Sequence, residues 1–231
     1  MSSPRDGAGP IVVDGELRDE FFEITEELNG FLMLYGFGLE EMLTKINILK
    51  QELAHQGAAG SPIEHVSHRL KRPSSIAEKA RRLGCSPGFD DVREKVWDIA
   101  GIRVVCSFVS DAYLVLDMLQ RQPDVSVVQV KDYIAHPKPS GYKSVHLIVD
   151  IPVFLSDRTE SVRVEIQIRT VAMDFWASLE HKIHYKYHRE VPQSLRDQLV
   201  EVALATDKLD AQMEQLHKES RREAPAGDLG D

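Results

Sequence analysis

Val162-Arg-Val-Glu-Ile-Gln-Ile-Arg169 is the stretch on which the fold turns. Valine and isoleucine hold positions 162, 164, 166 and 168, while Arg163, Glu165, Gln167 and Arg169 fill the places between. A period of two is that of a β-strand with one apolar and one polar face. Three more runs rich in β-branched residues precede it, at 102–108, 125–130 and 144–151. In the first, Arg103 lies opposite the face formed by Ile102, Val104, Cys106 and Phe108; in the third, His146 lies opposite Val145, Leu147 and Val149. One such strand alone has its polar face in solvent. Strands sharing a sheet would merge these faces into one floor carrying Arg103, His146, Glu165 and Gln167, with helices covering the other side.

Outward from the strands the period becomes helical. Ile24, Leu28, Phe31, Tyr35, Leu39, Met42, Leu43, Ile46, Leu49 and Leu53 follow helix spacing, and Gly30, Gly36 and Gly38 leave open one helix or two joined near 30–38. Ser61, Pro62 and Glu64 read as a capping box that starts another helix. Short helices are expected at 74–83, stopped by Gly84, and at 111–121; the helical period returns after Thr170 through Trp176, Leu179 and Ile183. Leu195, Leu199, Val202, Thr206, Leu209, Met213 and Leu216 then repeat as three heptads. That stripe is either a subunit contact or a helix packed on the N-terminal helices. The expected organisation is a tail at 1–15, N-terminal helices at 16–58, a core at 59–190, a C-terminal helix at 191–220 and a tail at 221–231. The fold class is α+β: a mixed sheet of about five strands flanked by helices.

Composition narrows the function. A hydrophobic share of 42% with 28% charged residues suits a globular chain, and the net charge of −9 disfavours a nucleic-acid coat or an anionic-membrane binder. No apolar run approaches the ~20 residues of a membrane span. Cys85 and Cys106 form no disulfide framework, which points to a reduced cytoplasm.

Against this acidic background, Arg69, Lys71, Arg72, Lys79, Arg81 and Arg82 crowd one short segment whose only acid is Glu78. Ser74 and Ser75 stand at the start of its helix, where free backbone N–H groups favour an anion. The cluster is a solvated face or a phosphate site. Asp98 before the first strand and Glu165 on the last are two separated acids, each explicable as a structural salt bridge. Next to such cations they supply the elements of phosphoryl transfer: clamps, a metal site and a base. Tyr142, delivered by Gly141 in Ser140-Gly-Tyr-Lys-Ser144, is a core ring or a base-stacking platform. His181, His184 and His188 fall near one helix face without an HExxH pattern, as packed histidines or a metal site.

Taken in order, the 69–82 cluster, Trp97-Asp-Ile-Ala-Gly-Ile-Arg103, Asp132-Tyr-Ile, Lys138-Pro-Ser-Gly-Tyr-Lys-Ser-Val-His146, Val164-Glu-Ile-Gln-Ile-Arg-Thr170 and Met173-Asp-Phe-Trp-Ala-Ser-Leu-Glu-His181 resemble the (p)ppGpp synthetase domain of RelA/SpoT proteins. The likeness spans roughly 60–215 and is nearest the single-domain small alarmone synthetases, in particular their RelQ group. It implies a nucleotidyltransferase-like synthetase fold and transfer of the β,γ-diphosphate of ATP to the 3′-OH of GDP or GTP, with Mg²⁺ as cofactor. It implies adenine between Arg69 and Arg103, ATP phosphates on Lys71, Ser75, Lys79 and Arg82, and the metal on Asp98 and Glu165, with Glu165 also the base. Tyr142, Lys143, His146, Gln167 and Asp174 would take the acceptor nucleotide. Lys143 stands where the family often has arginine, and Asp174 where RelQ proteins can carry asparagine; a carboxylate there can accept from guanine N1–H and N2–H₂. The resemblance further implies a homo-oligomer, a tetramer; no membrane partner is expected from the short apolar runs, and the net charge of −9 disfavours a nucleic-acid partner. Long family members also hydrolyse alarmone through a His-Asp metal motif; this sequence has no His-Asp dipeptide, so synthesis without hydrolysis is expected. The rival readings are a relative that pyrophosphorylates the 3′ end of tRNA and a non-catalytic nucleotide-sensing or RNA-binding oligomer.

Overall fold

The computed structural model describes residues 15–56, 61–187 and 191–223. Among the described residues six helices and five strands run in the order α1 (Gly15–Gln56), β1 (Ile63–Leu70), α2 (Pro73–Arg82), α3 (Phe89–Lys95), β2 (Ala100–Cys106), α4 (Val109–Gln120), β3 (Ser126–Asp132), β4 (Val145–Phe154), β5 (Thr159–Thr170), α5 (Val171–Lys186) and α6 (Gln193–Glu223). The strands form one mixed sheet, ordered β1-β2-β5-β4-β3, in which only the β2–β5 pair is parallel. The 162–169 stretch lies in β5, at the centre. Its Val162, Val164, Ile166 and Ile168 are buried with Ile102, Val104, Leu147 and Val149 on the face that α1 and α4 cover.

α1 is one helix, not two. Phe31, Leu34, Tyr35, Leu39, Met42, Ile46 and Leu49 form a buried stripe on the sheet. Burial of each large apolar side chain is worth ~1.5–3 kcal/mol, against ~1 kcal/mol lost per helical glycine, so the stripe prevails. At Gly38 the absent side chain is structural: a Cβ there would lie 2.5 Å from Val162 Cγ1.

The expected helix start at Ser61 is a strand instead. Ile63–Leu70 pairs antiparallel with β2, and Ser61 Oγ accepts from Ile63 N (3.2 Å) and donates to the Lys50 carbonyl (3.3 Å). β1 is an edge strand exposed on both faces over most of its length, so no hydrophobic alternation marked it. α3 was also unforeseen, and α6 continues to Glu223, past the expected end at 220. α6 packs on α5 and α4 rather than on the N-terminal helix. Leu199 and Ala203 are buried there, whereas Val202, Leu209, Met213 and Leu216 of the heptad stripe are exposed. No helix among the described residues is long and apolar enough to cross a membrane.

Candidate active site

Strand register gathers the polar floor. Ser67, Arg103, Gln167, His146 and Lys131 are successive partners across β1, β2, β5, β4 and β3, and so share one row on one face. The neighbouring row on that face holds Arg69, Gly101, Glu165 and Ile148. Gly101 has no side chain, so the floor dips between Arg69 and Glu165. The dip is a cleft of about 170 Å³ whose lining includes Arg69, Gly101, Arg103, Glu165 and Gln167. The alternation in the sequence therefore placed Arg103, His146, Glu165 and Gln167 on one surface correctly.

Glu165 is held on both oxygens. His146 Nδ1 lies 3.1 Å from Oε1, and Gln167 Nε2 donates to Oε2 at 2.9 Å. His146 Nε2 in turn meets the Tyr142 hydroxyl at 2.8 Å, so a hydrogen-bonded chain runs from carboxylate to phenol. Burial pushes the Glu165 carboxyl up, but His146 and Gln167 outweigh it and hold the group below the usual range; the charge of Asp98 opposes them.

Asp98 leads into β2 and is gripped by two lysines. Lys71 Nζ donates to Oδ2 at 2.9 Å and Lys79 Nζ to Oδ1 at 2.7 Å. Burial raises this carboxyl, and the two ammonium groups override it and hold Asp98 below the usual carboxylate range. Lys71 follows β1 and Lys79 lies on α2, so the unforeseen strand is what brings the basic segment to the acids. Ser75 sits half-buried in the first turn of α2, where Pro73 occupies the first position, and Arg82 is exposed at its end. Asp98 between two lysines, and Glu165 on the cleft floor, are carboxylates of the kind that suit Mg²⁺, which takes one or two from the protein and completes its shell from phosphate oxygens and water. Among the described residues no three or more His, Cys, Asp and Glu side chains converge as a metal cage, and His188 of the histidine trio lies outside them.

Arg169 escaped the sequence reading as a site residue. It is 2% exposed and bridges three of the expected site residues, donating to the Tyr142 hydroxyl (3.1 Å), to Gln167 Oε1 and to Asp174 Oδ1 (3.4 Å). Burial pushes its pKa below the ordinary arginine value, and nearby Arg103 adds to this. Its place in the β5 alternation, on the face of Glu165 and Gln167, was the available signal. Asp174 also lies 3.3 Å from Arg103 NH1 and 4.0 Å from His65 Nε2. The expected guanine-reading carboxylate is thus tied to arginines of both halves of the site.

Tyr142 is half-buried beneath Lys138, whose Nζ is 4.7 Å from the centroids of both Tyr142 and Tyr133. Lys138 was quoted within a motif but not singled out. Burial raises the Tyr142 phenol, against the pull of Arg169. Lys143 does not join the cluster: its ammonium is 2.7 Å from Asp207 Oδ1 on α6.

The family model for the region found in RelA / SpoT proteins matches residues 68–190. The chain is 46% identical over 203 residues to the GTP pyrophosphokinase YwaC of Bacillus subtilis, covering 87% of this chain and 95% of that protein. It is 40% identical over 189 residues to the GTP pyrophosphokinase YjbM of the same organism, covering 82% and 88%. The crystal structure of small alarmone synthetase 1 from Bacillus subtilis, bound to its product pppGpp, superposes with a TM-score of 0.77 at 38% identity, over 84% of this chain and 98% of that one.

Proposed function

The chain belongs to the family of RelA and SpoT proteins, and on that premise we infer that it is a GTP pyrophosphokinase, moving the β,γ-diphosphate of ATP to the 3′-OH of GDP or GTP and releasing AMP. One observation carries the reading: Glu165 lines the cleft with Arg69 and Arg103 and is joined through His146 to Tyr142, while Lys71 and Lys79 converge on Asp98 at the entry to β2.

In this reading Arg69 and Arg103 flank adenine, a task suited to planar guanidinium groups. Lys71, Lys79, Ser75 and Arg82 take the phosphates. The lysines exchange the Asp98 carboxylate for phosphate oxygens when ATP enters, which frees Asp98. Asp98 and Glu165 are the residues that would hold Mg²⁺, and the bound ion would supply neutralisation of phosphate charge. Glu165 accepts the 3′-OH proton, with His146 and Gln167 fixing the direction of its two oxygens. Tyr142 carries guanine on its ring and Asp174 reads its edge. Most of the rate comes from in-line placement and charge compensation.

The setting is the cytoplasm, and the assembly is a homo-oligomer, by resemblance a tetramer. The exposed Val202, Leu209, Met213 and Leu216 on α6 support self-association. Light scattering at about 26 kDa, the mass of one chain, would reject it.

Incubation with γ-labelled ATP, Mg²⁺ and GDP or GTP, followed by chromatography, tests the activity. Labelled ppGpp or pppGpp is expected, and preformed alarmone should survive in the same buffer. Label found only on added tRNA would move the assignment to a tRNA-modifying relative. Glu165→Gln should bind both nucleotides and lose most turnover; a wild-type rate would remove Glu165 from the role of base.

A further inference from the structure

We propose that α6 is part of the acceptor half of the active site, with Asp207 a positioning residue that sets Tyr142 by holding Lys143. The proposal rests on the pyrophosphokinase reading and adds to it a residue far outside the motifs.

The 138–144 turn folds on itself, with Gly141 N donating to the Lys138 carbonyl (2.8 Å) and Lys138 N to the Tyr142 carbonyl (3.1 Å). These bonds shape the turn, and Ser144 Oγ, donating to the Ile168 carbonyl at 3.0 Å, together with the Tyr142 hydroxyl on His146 and Arg169, ties it to the sheet. α6 holds it from the other side at three places. Trp176, whose ring centroid is 6.3 Å from that of Tyr142, donates its Nε1–H to the Leu199 carbonyl at 2.9 Å. Gly141, at φ +88°, lies so close to α6 that a Cβ would fall 2.4 Å from Ala203 Cβ. Lys143 Nζ pairs with Asp207 Oδ1 at 2.7 Å, with the two side chains 19% and 35% exposed. Leu199, Ala203 and Asp207 are four residues apart in turn, one stripe of a helix, and their contacts fall on or beneath three successive parts of the turn. Between them the space is nearly full, with a residual void of about 10 Å³. The same stripe continues to Asp210, which accepts from Thr170 Oγ1 at 2.9 Å, and Glu214, which accepts from Ser110. α6 is therefore fastened along its length, and the turn is fastened to it.

Lys143 follows Tyr142 directly, so its anchor fixes the backbone from which the ring projects. A lysine ammonium is a compact point charge without the bidentate fork of arginine, and here it is directed at Asp207 on α6. Engaged with Asp207, it acts on the acceptor through the turn rather than by touching it.

The test compares Asp207→Asn, Lys143→Ala and the double variant in the full chain, measuring KM for GDP and for ATP separately together with amide exchange of residues 138–144. Loss of one charge-assisted hydrogen bond should raise the GDP KM by about tenfold. The ATP KM should stay within about twofold, since the donor cleft is formed by β1, β2 and β5. The double variant should be no worse than either single one, and exchange should quicken at 138–144 while α1 and β5 stay protected. Exchanging the charges, Lys143→Asp with Asp207→Lys, should recover GDP affinity. If Asp207→Asn keeps or tightens GDP while Lys143→Ala loses it, lysine touches the acceptor itself and the proposal is overturned. Additive losses, equal rises in both KM values, or unchanged exchange at 138–144 would overturn it too. Absence of alarmone synthesis by the unaltered chain would instead defeat the pyrophosphokinase reading, and the exchange measurement would still decide whether Asp207 anchors the turn.

Discussion

Replacing Gly38 by alanine tests whether α1 is seated on the sheet as closely as described. A Cβ at 38 would stand 2.5 Å from Val162 Cγ1 and 2.7 Å from Val162 Cβ. Val162 is buried in the central strand, and its β-branch leaves little freedom to turn aside. Overpacking of this kind costs ~1–3 kcal/mol, while exchanging a helical glycine for alanine returns ~1 kcal/mol. Because the clash involves Cβ as well as Cγ1, the upper part of that range applies, and the net loss should be about 1–2 kcal/mol. Gly30 and Gly36 lie in the same helix with nothing within 4 Å of the added atom, so alanine there should stabilise. Each gain should be ~0.5–1 kcal/mol. In a chain of this length 1 kcal/mol moves Tm by ~2–4 °C, so a series of thermal and urea melts at one protein concentration separates the three variants. Equal or greater stability for Gly38→Ala would refute the close approach of α1 to β5. A loss at Gly30 or Gly36 as large as at Gly38 would show that the helix is not continuous.

Tyr142→Ala should raise the acceptor KM with little change for ATP, and Tyr142→Phe should keep the ring while removing the hydroxyl that His146 Nε2 and Arg169 share; an unchanged acceptor KM in the alanine variant would count against stacking. The Asp98 carboxyl titrates below its unfolded value of 3.8 because Lys79 and Lys71 outweigh the effect of burial. Its pairing therefore stabilises the fold fully above that value and is lost as pH falls through the folded pKa. Asp98→Asn should flatten the acid limb of a stability–pH curve, and an identical limb would contradict the pairing. Burial pushes the Cys106 thiol up to about 12, whereas Cys85 is half-buried, so a thiol reagent should label Cys85 in the native chain and both cysteines only in denaturant.

How far the sequence could be read depended on whether each element shows two faces. β5, β4 and β2 separate core from cleft, and their alternation predicted the shared floor that the register then displays. β1 has no such contrast, being an edge strand with a burial pattern dominated by exposure, and its Ser-Pro-Ile-Glu opening imitates a helix cap. The glycines of α1 left one helix or two undecided. Local propensity weakened the helix on paper, whereas the buried stripe from Phe31 to Leu49 holds it together.

The site divides along the same line. Residues whose role follows from strand parity, Glu165, Gln167, His146 and Arg103, were legible because a one-residue slip would have put them in the core. Arg169 obeys the same parity, yet its importance depends on contacts with Tyr142 and Asp174, which lie 27 and 5 residues away in the chain. Lys143 is the sharper case. Its position beside Tyr142 suggested a ligand, and only the course of α6, fixed by Ala203 against Gly141 and Asp210 against Thr170, brings a carboxylate to it. An ion pair across 64 residues has no periodic signal in either segment. The floor was therefore foreseeable from one strand at a time, while the support of the 138–144 turn required the whole fold.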